Sequence, residues 1–209
     1  MIRKIWNIIL HPHIFYTNRI APKLRHLRYP MCSPSAIVSN PLSIKYDGIT
    51  LCDNVTILPG ARIGCVFNYS GDVFSPQLII GDRTSIQQRA HITCAKKIEI
   101  GCDCAITHNV TITDIDHSYE YAPPGNAPIN NPLIVKPVII GNRCMIFPNA
   151  VILGGTELGE NSVVAANSVV RGKFPSYCLI GGTPAKILKR YNPKTNKWDK
   201  TDKDGNFLI

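Results

Sequence analysis

Residues 140–175 read IGNRCMIFPNAVILGGTELGENSVVAANSVVRGKFP. An aliphatic residue returns at every sixth position: Ile140, Ile146, Ile152, Leu158, Val164 and Val170. Four residues after the first five, the side chain is small or β-branched: Cys144, Ala150, Thr156, Ser162 and Ser168. A period of six excludes a helical face, which needs 3.6, and an ordinary hairpin sheet, which needs two. It fits a short strand plus a corner, repeated. Three such units close a triangular coil with one aliphatic pointing inward from each side.

The same count runs back through Ile100, Ile106 and Ile112, through Ile80, Ile86 and Ile92, and through Leu51, Ile57 and Ile63. Burying each of these contributes about 1.5–3 kcal/mol, so stacked coils build a continuous dry core. Hexapeptide periods are the signature of parallel β-helices. The complete coils are 51–68, 80–97, 100–117, 140–157 and 158–175, with a weaker one before them around Val38 and Ile44. The interruptions 69–79, Ile98–Glu99 and 118–139 each end a full coil, so all are expected at one corner of the prism. The longest carries Pro123, Pro124, Pro128, Pro132 and Pro137. Proline lacks the N–H of a central strand and stiffens the chain, which predicts a projecting loop of the kind that carries function. Gly64, Gly81, Gly101, Gly141 and Gly159 follow the aliphatics and are expected at corners of positive φ.

The expected architecture is therefore all-β: a parallel β-helix of five to six coils with a projecting loop at 118–139. Residues 1–35 form a basic N-terminal extension or cap, and 36–180 form the β-helix. Residues 181–209 form a short C-terminal helix, with Thr183 as N-cap and Pro184 at its first position, and a polar tail.

The chain has 209 residues, 44% of them hydrophobic and 18% charged, with a net charge of +9. That composition suits one folded domain with modest extensions and excludes a disordered chain. Residues 1–46 hold seven Lys or Arg and no Asp or Glu, which favours anionic partners. No apolar run is long enough to span a bilayer, and no small-residue cleavage site follows the first apolar stretch. The expected location is cytoplasmic, with residues 1–30 either capping the open end of the prism or lying on the inner face of a membrane. The eight cysteines have no C-x-x-C pair and no zinc spacing, so they read as reduced core residues, and no metal is expected.

The repeat, the Asp-His pair Asp116-His117, the Pro-rich loop and the tail VVAANSVVRGKFPSYCLIGGTPAKILKRY together resemble the hexapeptide-repeat acyltransferases. Within them the chain is most similar to sugar O-acetyltransferases of the galactoside, maltose, capsule and O-antigen kind. The resemblance covers residues 45–191. It implies a left-handed coil, a homotrimer with sites between subunits, acetyl-CoA as donor, a sugar or glycan acceptor and no nucleic acid. An N-acetyltransferase of an amino sugar is the alternative reading, and a non-catalytic trimeric scaffold is a second.

The resemblance puts the catalytic histidine on His117. Acyl transfer to a sugar hydroxyl needs a base, and an imidazole titrates near neutrality. Asp116 or Asp114 are the candidates to orient it. Arg89 falls where relatives place an acceptor-binding asparagine, with Gln88 beside it. Ala166, Arg171, Lys186 and Lys189 match positions that line the CoA site. His91 and His108 read as surface or interface residues. At Pro148 the backbone has no N–H, so no donor contact comes from an amide there.

Overall fold

A computed structural model of the protein describes residues 12–120, 127, 130–202 and 205–208. The trunk is a three-sided parallel β-helix of six coils. Each face is a stack of short strands, and the registers align the aliphatics in columns. One face carries Val38, Ile57, Ile86, Ile106, Ile146, Val164 and Ile180. A second carries Ile44, Ile63, Ile92, Ile112, Ile152 and Val170. The third carries Leu51, Ile80, Ile100, Ile140, Leu158 and Phe174. All fifteen counted aliphatics are buried, none more than 3% exposed. The small residues four places on are buried as well, Ala90, Val110, Ala150 and Ser168 among them. The weaker first coil exists, with strands Ile37–Val38 and Ser43–Ile44.

The glycines after the aliphatics do a different task from the one expected. Positive φ at the corners belongs to Asn54, Arg83, Arg89, Asp103, Asn109, Arg143, Asn149, Asn161 and Asn167. Gly81, Gly101, Gly141 and Gly159 instead sit where adjacent coils nearly touch. A Cβ on Gly159 would lie 2.3 Å from the backbone nitrogen of Ser176. Overpacking of this kind costs about 1–3 kcal/mol. Gly159→Ala is therefore expected to lower the melting temperature by about 5 °C in a thermal unfolding scan. An unchanged melting temperature would mean the last two coils are not packed this closely.

The corner residues of positive φ are tied from coil to coil. At one corner Arg89 Nε donates to Asn109 Oδ1, Asn109 Nδ2 to Asn149 Oδ1, and Asn149 Nδ2 to Asn167 Oδ1. At another, Arg83 pairs with Asp103, and Arg143 with Glu160. Asn and Asp tolerate this conformation best, and the row of side-chain bonds holds the three arginines in it.

Both ends of the prism are closed. The N-terminal segment comprises α1 (Pro12–Phe15), a π turn (Tyr16–Ile20) and α2 (Ala21–Arg28). Arg25 on α2 is buried, donates to the carbonyl of Ala36 and lies 5.6 Å from the Tyr46 ring centroid. Cys32 bridges to Leu51, the head of the third face. At the other end the expected C-terminal helix is absent. Residues 185–192 form a strand antiparallel to Cys178–Gly182, and Lys197–Lys200 adds another. The last strand of the prism offers a row of unpaired backbone groups, and a hairpin satisfies them where a helix cannot. Thr183 and Pro184 form the turn of that hairpin, not a helix cap.

Candidate active site

Every excursion of the chain leaves from the corner between the second and third faces. The first is a small antiparallel hairpin, Asn68–Tyr69 with Asp72–Val73. The second is the Pro-rich loop, of which Pro123, Pro124 and Pro128 lie outside the described residues. It leaves the coil earlier than the count in sixes gives, at Asp114 rather than after His117. Residues 115–117 pair antiparallel with 133–135 and lift off the prism as a two-stranded neck. His117 therefore stands on the neck, opposite Leu133, and does not end a coil.

Asp114 explains the early departure. It is fully buried, and its carboxylate accepts the backbone N–H groups of Ala95, Lys96 and Lys97 at 2.8, 2.7 and 2.8 Å. Its own carbonyl accepts from Lys136 at 2.9 Å, closing the neck. The Cys94 thiol donates to it across 3.6 Å. The Cys65 partner, burial and the Asp114 charge keep that thiol protonated. Asp114 is thus the keystone of the corner and does not reach the imidazole.

Asp116 does not orient it either. Along an extended strand neighbouring side chains point to opposite sides, and Asp116 forms an ion pair with Arg171 from the next coil but one. Arg171, expected at the CoA phosphates, is engaged in this pair beside the neck. No hydrogen bond to the His117 ring is formed among the described residues. Its ring instead meets Tyr69 edge to face, with centroids 5.5 Å apart. Tyr69 comes from the first excursion, and Ser70 beside it donates to the carbonyl of Asn130 in the second at 2.7 Å. The two excursions thus brace each other around the histidine.

Between them lies a cavity of about 290 Å³ on the outer side of the second face, walled by Val66, Tyr69, Ile115, His117 and Leu133. Its floor is His91 with Thr93, Thr111 and Thr113. His91 bonds Thr93 Oγ1 through Nε2 at 3.0 Å. Burial, with a smaller contribution from Arg62, holds the His91 pKa below the usual histidine range, so its ring is neutral at neutral pH. Tyr69 and His91 were not legible as site residues, because the first excursion's fold and the outward pleat of the second face decide both.

The remaining expected residues lie at the opposite edge of that face. Gln88 and Arg89 line a cavity of about 530 Å³ with Pro59, Gly60 and His108. Ala166 is exposed at the same corner, next to Asn167, whose carbonyl accepts from Thr183 at 3.4 Å. Lys186 follows that turn and is exposed; Lys189 is half-buried. A helix would put these two lysines on one face. The strand pairs them instead with Gly181 and Leu179, across an irregular register. In one chain, then, His117 and Arg171 occupy one edge of the second face. Gln88, Arg89, Ala166 and Lys186 occupy the other.

Residues 137–172 match the family model described as bacterial transferase hexapeptide (six repeats). Over 171 residues the chain is 36% identical to WbbJ of Escherichia coli (strain K12), a protein assigned an O-acetyl transferase role in lipopolysaccharide biosynthesis. That match covers 78% of this chain and 83% of WbbJ. Among solved structures, a hexapeptide-repeat-containing acetyltransferase of Vibrio cholerae O1 biovar eltor, complexed with acetyl coenzyme A, superposes with a TM-score of 0.58 at 30% identity. The superposition covers 69% of this chain and 72% of that one. Galactoside acetyltransferase in complex with coenzyme A superposes with a TM-score of 0.58 at 18% identity, over 95% and 86% of the two chains, a likeness of fold.

Proposed function

Because this chain belongs to the bacterial hexapeptide-repeat acetyltransferases, we propose that it moves an acetyl group from acetyl-CoA to a hydroxyl of a sugar or surface-polysaccharide precursor. Its fold is the left-handed parallel β-helix of that family. The observation that carries the acceptor side is the seat of His117. It is an exposed imidazole at the mouth of a cavity whose walls come from both excursions. Tyr69 offers a flat apolar wall and the floor offers hydroxyls and a neutral imidazole. Sugars present the same mixture of C–H faces and hydroxyls.

In the step itself, a His117 ring nitrogen takes the proton of the acceptor hydroxyl as its oxygen attacks the thioester carbonyl. A C–O bond forms and the C–S bond breaks. The imidazolium then gives the proton to the leaving thiolate, so the products are the acetyl ester and free CoA. No covalent enzyme intermediate is required. Asp116 and Arg171 hold the neck through their ion pair and act on His117 by position. Ala166 leaves room for the pantetheine arm, and Lys186 and Lys189 suit the CoA phosphates.

The split site supports a homotrimer. Beyond the third coil the second face, which both edges of the site flank, presents only uncharged residues outward: Thr111, Thr113, Val151 and Val169. The third face carries Lys97 with Glu99 and Lys173 with Glu157, charges suited to water. Three copies arranged with their second faces toward a common axis set the His117 edge of one beside the Arg89 and Ala166 edge of the next. The donor groove and the base then come from different subunits, with Arg89 and Gln88 at the acceptor.

The test is free-thiol release from acetyl-CoA with a panel of sugars and amino sugars, followed by mixed-subunit rescue. A His117→Ala chain and a Gln88→Ala/Arg89→Ala chain are each expected to be nearly inactive. Co-refolded mixtures are expected to recover a substantial share of wild-type rate, because some clefts pair intact edges. Absence of rescue between two folded variants would place the site within one chain. An amino sugar consistently outrunning its hydroxyl counterpart would make the enzyme an N-acetyltransferase.

A further inference from the structure

The helix α2 is inside out. Its buried residues are Pro22 and Arg25. Arg25 gives its guanidinium to the carbonyl of Ala36 and to the ring of Tyr46. Tyr29, one turn on, packs on Tyr46 with centroids 5.3 Å apart. The opposite side bears Leu24 and Leu27, which are 53% and 79% exposed. Ile20, 40% exposed, continues this apolar side toward the N-terminus. A helix that only caps a β-helix has no reason to aim its leucines at water and its arginine at the core.

The charges around this stripe narrow what covers it. Arg19, Lys23 and Arg28 are exposed beside it, and no acid occurs in the first 46 residues. Two copies meeting through this patch would bring cation against cation, which disfavours a symmetric protein contact. Asp47, the first acid of the chain, shares a cavity with Arg28, but the stripe's own segment carries only cations, which fits a surface with an anionic rim and an apolar interior. No helix among the described residues is long and apolar enough to cross a membrane, so the contact is one of lying on a surface rather than spanning it.

We propose that α2 docks the enzyme on an anionic lipid surface, with Ile20, Leu24 and Leu27 in the acyl boundary and Arg19, Lys23 and Arg28 among the headgroups. The end of the prism bearing α2 then faces the bilayer. This inference is independent of the acceptor and of His117.

The full chain is sedimented with vesicles of pure phosphatidylcholine and of phosphatidylcholine with 30% phosphatidylglycerol. Binding is expected to the anionic vesicles and to weaken about fivefold for each of Arg19, Lys23 and Arg28 changed to serine. The double variant Leu24→Ser/Leu27→Ser is expected to lose at least tenfold in partitioning. Its acetyl-CoA binding and its mass by light scattering are expected to stay unchanged, since neither leucine is buried. Wild-type protein remaining in the supernatant with anionic vesicles overturns the proposal, as does equal binding by the leucine variant. A leucine variant of altered oligomeric mass also overturns it and makes the stripe a contact between copies.

Discussion

Replacing His117 with alanine is expected to lower kcat for acetyl transfer by about 10²–10⁴-fold while leaving acetyl-CoA affinity and the melting temperature unchanged. The separation follows from where the residue sits. His117 is exposed, forms no hydrogen bond among the described residues, and touches the rest of the protein mainly through the edge of Tyr69. Its removal therefore opens no core cavity and orphans no buried group. The donor groove proposed at Ala166 and Lys186 lies at the other edge of the second face, so binding of CoA survives. Titration of acetyl-CoA by calorimetry, alongside single-turnover kinetics, separates the two effects. A variant retaining more than about a tenth of the wild-type rate would remove His117 from the proposed role as base. His91, neutral and in the same cavity, would become the next candidate.

The opposite pattern is expected at Asp114. Asp114→Ala strands three backbone N–H groups in a dry corner, where each orphan costs about 1–3 kcal/mol. A loss of about 3–5 kcal/mol follows, seen as a fall in melting temperature of about 10 °C. Activity falls too, because the neck bearing His117 is anchored through Asp114 and Lys136. Amide exchange gives the specific readout. Protection at Ala95, Lys96 and Lys97 is expected to collapse before that of the neighbouring coils. Asp114→Asn keeps the shape but turns an NH₂ toward donors, so it rescues little. Unaltered exchange at these three amides in Asp114→Ala would show that water satisfies them and that the carboxylate is dispensable.

The contrast between Asp114 and His117 shows what the sequence could express. The prism was legible because parallel in-register stacking sets each inward side chain on one of the same kind. Ile106, for example, sits between Ile86 and Ile146. A period of six then survives in the linear order. Outward positions obey no such rule, since water, an ion pair or an excursion can meet them and no one residue type is required. Asp114 and Asp116 look equivalent beside His117, yet one meets the amides of the preceding coil and the other meets Arg171. The recurrence of Asn109, Asn149 and Asn167, each one residue before a small buried side chain, was visible. It signals the corner ladder, and it makes Arg89 that ladder's first rung as well as a candidate site residue. The C-terminal tail was misread for a different reason. Gly-Gly-Thr-Pro carries the local signals of a helix start, but the open edge of the last strand outweighs local preference.

The matched columns also make the length of the prism discrete. Leu158 occupies the place in its column that Ile140 occupies one level earlier, and each is followed by a glycine in close backbone contact. Excising Gly141–Leu158 would join Ile140 to Gly159, with every surviving rung still facing a compatible neighbour. Variation in this architecture is therefore quantised. Along the axis it proceeds in whole storeys of about eighteen residues: a shift of six or twelve would move each aliphatic to another face, and one that is no multiple of six would turn the aliphatics out of the core. Only the corner that bears the two excursions is free of that arithmetic.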